Sequence, residues 1–151
     1  MNMLFELRTD EDIRRQAVSE NERQIHDALI GRGPWQLTER QRRLLECLRG
    51  RQGRIQAISI AELVERNGSA PRQIKADVRE LVINFRLAIV ASRDGDTGGY
   101  YFATSADERI TGSQDYLKEA LKLLHRVAIL RNDQDMMHLL GQRQIEEGKS
   151  V

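Results

Sequence analysis

The chain has 151 residues, of which 40% are hydrophobic and 31% charged; this suffices for one globular domain with extensions and excludes a disordered or collagen-like protein. The formal net charge is only +1, but residues 37–104 carry a surplus of four basic side chains, while residues 1–36 and 105–151 are slightly acidic. No apolar run approaches the roughly 20 residues that cross a bilayer, and the N-terminus lacks a signal-peptide pattern, so we expect a cytoplasmic protein without a membrane segment.

The first predicted element is a helix. Thr9 and Asp12 have the spacing of a capping box, and an interrupted apolar stripe follows them. Residues 31–34 contain two glycines and a proline, which end the helix and begin a linker. Residues 1–36 are therefore assigned to an N-terminal helical extension.

Two further helices are predicted on either side of a short apolar run. Thr38 and Gln41 have capping-box spacing before the first of them. Residues 55–58 alternate in polarity and predict a brief strand. Ser59 then caps a short helix, which ends at Gly68.

The next helix begins at Pro71, a residue that fits a first helical turn. Its apolar residues up to Phe85 fall on one continuous face. The residues opposite that face are Arg72, Lys75, Ala76 and Arg79. A short helix, a tight turn and a second helix with a basic outer edge are typical of a helix-turn-helix.

A β-hairpin is predicted after this helix. Residues 88–91 and 100–102 are β-prone, and residues 94–99 between them are rich in turn formers. Three helices followed by a hairpin are the element order of a winged helix. The predicted fold is therefore mainly α: a winged helix over residues 37–104, with N- and C-terminal helical extensions.

Residues 59–63, 72–81 and 98–101 read SIAEL, RQIKADVREL and GGYY. These segments resemble bacterial and phage winged helix-turn-helix domains of the biotin-repressor-like kind, and the resemblance covers residues 38–104. It implies that the helix over residues 71–85 enters the DNA major groove and that the hairpin over residues 89–103 lies beside the phosphate backbone. The DNA-binding set that it implies is Arg72, Gln73, Lys75, Ala76, Arg79 and, in the wing, Arg93.

Two features depart from the family pattern. Arg86 and Leu87 follow the third helix, where the family often has glycine. The tip of the wing carries Asp94 and Asp96, which phosphate would repel unless they point away.

The C-terminal segment, residues 105–151, is predicted to be a helical extension. Leu117, Leu121, Leu124 and Ala128 follow at spacings of four, three and four, which gives one apolar helix face. Such a face needs a partner, either the winged helix or a second copy of the chain. The resemblance favours a homodimer through this helix, and residues from Met136 onward predict a further short helix.

The sequence offers no convergent set of catalytic or metal-binding side chains. Cys47 is the only cysteine and stands in a helical apolar pattern, while His26, His125 and His138 are isolated from one another. No nucleotide-binding loop or nucleophile motif is present. We therefore expect no enzyme, no metal and no cofactor.

Two functions remain. The favoured one is sequence-specific binding of double-stranded DNA, as in a bacterial or prophage transcription regulator. The alternative is a winged-helix module that binds another protein, such as a phage or replication-associated adaptor, through its acidic wing and amphipathic tails. Taken without their context, the three cations of residues 72–79 would be no more than the charged outer face of a helix.

Overall fold

The computed structural model describes residues 8–92 and 98–149, and within these the chain is mainly helical with one antiparallel hairpin. Its elements are α1 (Asp10–Leu29), α2 (Glu39–Leu48), α3 (Ile60–Asn67), α4 (Pro71–Phe85), β1 (Ile89–Ser92), β2 (Gly99–Phe102), α5 (Ala106–Leu130) and α6 (Gln134–Lys149). The chain divides into two compact units, a first that ends at Arg109 and a second that begins at Ile110. The prediction of a mainly α fold with a hairpin is confirmed, and none of the described helices is long and apolar enough to cross a bilayer.

Hydroxyl caps fix where the first three helices begin. Thr9 and Thr38 accept hydrogen bonds from the backbone N–H of the residue three positions on, whose side chain accepts from the cap in return. Ser59 accepts from the backbone N–H of Glu62 at 3.1 Å. These bonds satisfy N–H groups that have no partner within the helix, and they confirm the predicted starts.

The prediction of a strand over residues 55–58 is wrong. Arg54–Gln56 form a single 3-10 turn, which leaves the side chain of Ile55 96% exposed. Of residues 55–58, only Ile58 pairs with the hairpin, through an isolated antiparallel bridge to Tyr100 with two backbone hydrogen bonds of 2.9 Å. Alternation over four residues did not distinguish a strand from this turn, because only one of these four residues pairs with the hairpin.

The hairpin places β2 in the interior of the first unit. β1 pairs with β2 in a register that sets Ile89 opposite Phe102 and Ser92 opposite Gly99. The bridge from Ile58 covers the other edge of β2, and all four β2 residues are buried. A Cβ atom on Gly99 would lie 2.0 Å from the carbonyl oxygen of Ile58, so only glycine fits this position.

The first unit has one hydrophobic core, to which α1 to α4 and both strands contribute. Its buried members are Ile25, Ala28, Leu44, Leu45, Leu48, Ile58, Leu63, Ile74, Val78, Leu81, Leu87, Ile89, Tyr100 and Phe102. Because Ile25 and Ala28 belong to α1, the segment that the sequence suggested as an extension packs into the same core as α2 to α4.

A buried side-chain amide connects α1 to the rest of this unit through hydrogen bonds. The Asn21 side chain is fully buried, and its Nδ2 donates to Oε1 of Gln52 at 2.9 Å and to the carbonyl oxygen of Ala103 at 3.0 Å. Gln52 in turn donates to the carbonyl oxygen of Arg49 at 3.1 Å. The direction of α1 is thus fixed by polar contacts as well as by packing.

The second unit has a much smaller core. Leu121 and Ala128 of α5 pack with Leu140 of α6, and Met137 lies half-buried against them. Two of the four residues predicted to form an apolar face, Leu121 and Ala128, are therefore covered by α6 of the same chain.

Candidate nucleic-acid interface

The outer face of α4 carries three cations that the rest of the described chain leaves free. Arg72, Lys75 and Arg79 are all exposed. Within residues 8–92 and 98–149, none of their three side chains makes a hydrogen bond or an ion pair. They follow at spacings of three and four residues, so they lie on one side of the helix and extend along about 10 Å of its axis.

The two acids of α4 lie on a different flank of the helix and are held by α2. Asp77 is buried, and it accepts two hydrogen bonds from the Arg40 guanidinium, 2.7 Å from Nε to Oδ2 and 3.1 Å from Nη2 to Oδ1. Glu80 accepts a short hydrogen bond from the side-chain amide of Gln41. The negative charge of the helix is thereby directed toward α2, and its positive charge toward solvent.

Arg40 and Asp77 form an ion pair between α2 and α4. The hydrogen bond to Asp77 raises the pKa of the Arg40 guanidinium above its already high usual value. The Arg40 side chain is partly exposed, while that of Asp77 is almost fully covered. The cation therefore neutralises a carboxylate that would otherwise add negative potential beneath the outer face of α4.

The remaining residues of the predicted set fall in different places. Gln73 is half-buried, and its Nε2 donates to Oδ1 of Asp77 at 3.2 Å, so it lies on the flank of α4 that faces α2. Ala76 is half-buried. Arg93 lies outside the described residues. The sequence also did not single out Ile83, which is 67% exposed and continues the outer face one turn beyond Arg79.

The residue that ends α4 lies in the left-handed backbone region, which glycine adopts most easily. Arg86 stands where the family often has glycine, and it adopts the left-handed conformation with φ 57°. This conformation costs a non-glycine residue about 1 kcal/mol. After this sharp turn Leu87 lies in the core, where it is 1% exposed. The free energy gained by burying its side chain offsets the cost of the left-handed conformation of Arg86.

A cleft of about 300 Å³ lies at the C-terminal end of α4. Its walls come from the last turns of α1, the linker after α1 and the end of α4. Trp35 lines it and is 51% exposed, with Phe85 and Arg86 beside it. The cleft and Arg72 lie at opposite ends of α4, so the two surfaces are separate.

The described residues contain no group of three histidine, cysteine or acidic side chains that could hold a metal ion. Cys47 is half-buried, with its Sγ 3.8 Å from Oδ1 of Asn67. His26 and His138 are exposed, and His125 is half-buried on α5. Among the described residues, the outer face of α4 places three cations without ion-pair partners on one rigid helix.

Comparison of the chain with protein-family models, with curated proteins and with solved structures found no match. The site is characterised by its own geometry: three unpaired cations on one side of a helix, and two acids of that helix bound to α2.

Proposed function

We propose that the first unit is a winged helix that binds double-stranded DNA, with α4 as the helix that enters the major groove. One observation carries the proposal: α4 separates its charges, so that Arg72, Lys75 and Arg79 point to solvent without partners among the described residues. A helix preceded by a short helix and followed by a hairpin is the arrangement in which such a face meets DNA.

The spacing of the cations suits a duplex. Arg72 and Arg79 are about 10 Å apart along the helix axis, and Lys75 lies between them. Arginine can donate two hydrogen bonds to the O6 and N7 atoms of guanine, whereas lysine binds phosphate or guanine as a point charge. Neutralising phosphates releases bound counterions, and this release supplies most of the affinity of such an interface.

The acids of α4 do not oppose this interaction strongly. Asp77 is 2% exposed and carries a bidentate hydrogen bond from Arg40, so its charge is compensated inside the protein. Glu80 is exposed but is bound to Gln41 on the side of α2. A phosphate that approaches Arg79 therefore meets mainly positive potential.

The biological role proposed is that of a bacterial or prophage transcription regulator without catalytic activity. It is supported by the resemblance of residues 59–63, 72–81 and 98–101 to winged helix-turn-helix domains. The resemblance does not name a target sequence, so the target has to come from a selection of bound duplexes from random DNA.

The test compares two triple variants that lose the same charge. The full chain, the variant Arg72→Ala/Lys75→Ala/Arg79→Ala and the control Arg15→Ala/Arg23→Ala/Arg109→Ala are titrated with a selected duplex at several salt concentrations. All three control residues are exposed and lie outside α4. We expect the α4 variant to lose binding and to reduce the salt slope by about 2 to 3, because each phosphate contact contributes about 0.9.

The control variant should keep most of the affinity. Equal loss in both variants would mean that net charge alone attracts DNA, and the proposed role of α4 would be wrong. If the full chain binds no duplex even at low salt and random selection yields no consensus, the protein-binding alternative replaces DNA binding.

A further inference from the structure

The α5 helix carries a second apolar seam that α6 leaves exposed. Four of its five members are exposed by more than a third, and the smallest, an alanine, is exposed as well. They follow at spacings of four, three, four and three residues, which is the repeat of a coiled-coil contact face. The members of this second seam are Tyr116, Ala120, Leu123, Val127 and Leu130.

The second seam is distinct from the face that α5 uses inside its own unit. Leu121 and Ala128 are buried against Leu140 and Met137 of α6. On a helix of 3.6 residues per turn, the second seam is centred about 120° away from these two residues. It therefore stays open after α5 and α6 have packed together.

We propose that the second seam of α5 pairs with the same seam of a second copy of this chain, and that the two helices run antiparallel. Pairing would remove Leu123, Val127 and Leu130 from water, where they are 48%, 39% and 80% exposed. A contact that uses the same surface on both copies closes with two-fold symmetry and leaves no seam open.

The charges beside the seam select a second copy as the partner. Glu119 and Arg126 lie on one flank, seven residues apart, and both are exposed. In an antiparallel pair, equivalent flanks face each other, so Glu119 of one copy meets Arg126 of the other. The two-fold axis produces this opposite-charge contact twice, and on the other flank it brings the half-exposed Leu117 and Leu124 together.

A parallel pair would not bring Glu119 and Arg126 together. It would set each flank against the opposite flank of the other copy, so that Glu119 met Leu124 and Arg126 met Arg131. Two arginines would then face each other, and the glutamate would have no counter-ion across the interface. The arrangement of charges thus favours the antiparallel orientation.

Sedimentation of the full chain without DNA measures the association, so its result does not depend on DNA binding. The variant Leu123→Glu places a charge in the seam, whereas Ile129→Glu places the same charge on the other side of α5. The side chains of Leu123 and Ile129 are similarly exposed, at 48% and 55%. We expect a concentration-dependent dimer for the full chain and for Ile129→Glu, and at least a tenfold weaker dimer for Leu123→Glu.

Charge exchange tests the orientation. Arg126→Glu places two acids opposite each other in the antiparallel pair, and Glu119→Arg places two bases there, so each variant alone should associate more weakly. An equimolar mixture of the two should form a heterodimer, and Glu119→Arg/Arg126→Glu should again form a homodimer.

Three results would overturn the proposal. A full chain that is monomeric at every concentration, or a dimer that Leu123→Glu and Ile129→Glu weaken equally, would remove the seam as the contact. A dimer that Leu123→Glu weakens, but whose charge variants neither weaken it singly nor recover on mixing, would exclude the antiparallel arrangement.

Discussion

Asp77 on α4 and Arg40 on α2 are 37 residues apart in sequence and form a bidentate ion pair that joins the two helices. The carboxylate is 2% exposed, whereas the guanidinium reaches the surface. Gln73 adds a third hydrogen bond to the same carboxylate. Together with the buried apolar residues of α4, this cluster sets the rotation of the helix about its axis and thus which of its residues point outward.

The two partners of this pair should not contribute equally to stability. Arg40→Ala leaves a buried carboxylate with only Gln73 as a partner, and such a group costs about 1 to 3 kcal/mol or more. Asp77→Asn keeps an acceptor for Gln73 and leaves an arginine that water can reach. Urea unfolding should therefore show a larger loss for Arg40→Ala, and the added change Asp77→Asn should recover part of it. If Asp77→Asn alone is the more harmful change, the buried charge is not the cause.

Three glycine substitutions should form a graded series. In Gly99→Ala the new methyl group meets the carbonyl oxygen of Ile58 at 2.0 Å, so the bridge to β2 must open. Gly68→Ala meets no atom within 4 Å but has φ +64°, which costs about 1 kcal/mol. Gly50→Ala meets neither obstacle. Thermal unfolding should place the losses in that order, with a near-zero change for Gly50→Ala.

Loss of the buried amide of α1 should loosen that helix. Asn21→Ala removes the donor to Gln52 and to Ala103, and it leaves their oxygens without that hydrogen bond in the interior. We expect a loss of about 1 to 3 kcal/mol in the free energy of unfolding, together with faster amide hydrogen exchange in α1. Ser19→Ala, at an exposed position of the same helix, is the control and should change neither quantity.

Within the proposed DNA interface, Gln73 and Arg79 should behave differently. Gln73 is bound to Asp77, whereas Arg79 is exposed and has no partner among the described residues. Arg79→Ala should weaken binding to a selected duplex about tenfold and lower the salt slope, because an unpaired cation is lost. Gln73→Ala should change affinity less than threefold. An equally large effect of Gln73→Ala would mean that this side chain leaves Asp77 to read a base.

The helices could be predicted because their signals are local. Thr9, Thr38 and Ser59 each lie next to the apolar residues of their own helix, and the caps form as their spacing indicates. The conformation of residues 55–58 could not be predicted correctly, because it depends on where β2 lies. An alternation of four residues contains no information about such a distant partner.

The charge separation of α4 was only half predictable. Helical spacing placed Arg72, Lys75 and Arg79 on one side, and the structure agrees. The same spacing could not show that Gln73 turns toward Asp77, since that contact depends on Arg40 in another helix. Contacts between residues far apart in sequence produce no periodic pattern in the sequence, so this part of the site could not be predicted from it.

The single tryptophan of the chain gives the cleft at the end of α4 an optical reporter. Trp35 lines that cleft with half of its surface in water, and an indole responds to changes in the polarity around it. Emission from this one residue therefore follows the junction of α1, the linker and α4 without any label. Titrations with a small molecule that enters this cleft can be read directly from the intrinsic fluorescence of the native protein.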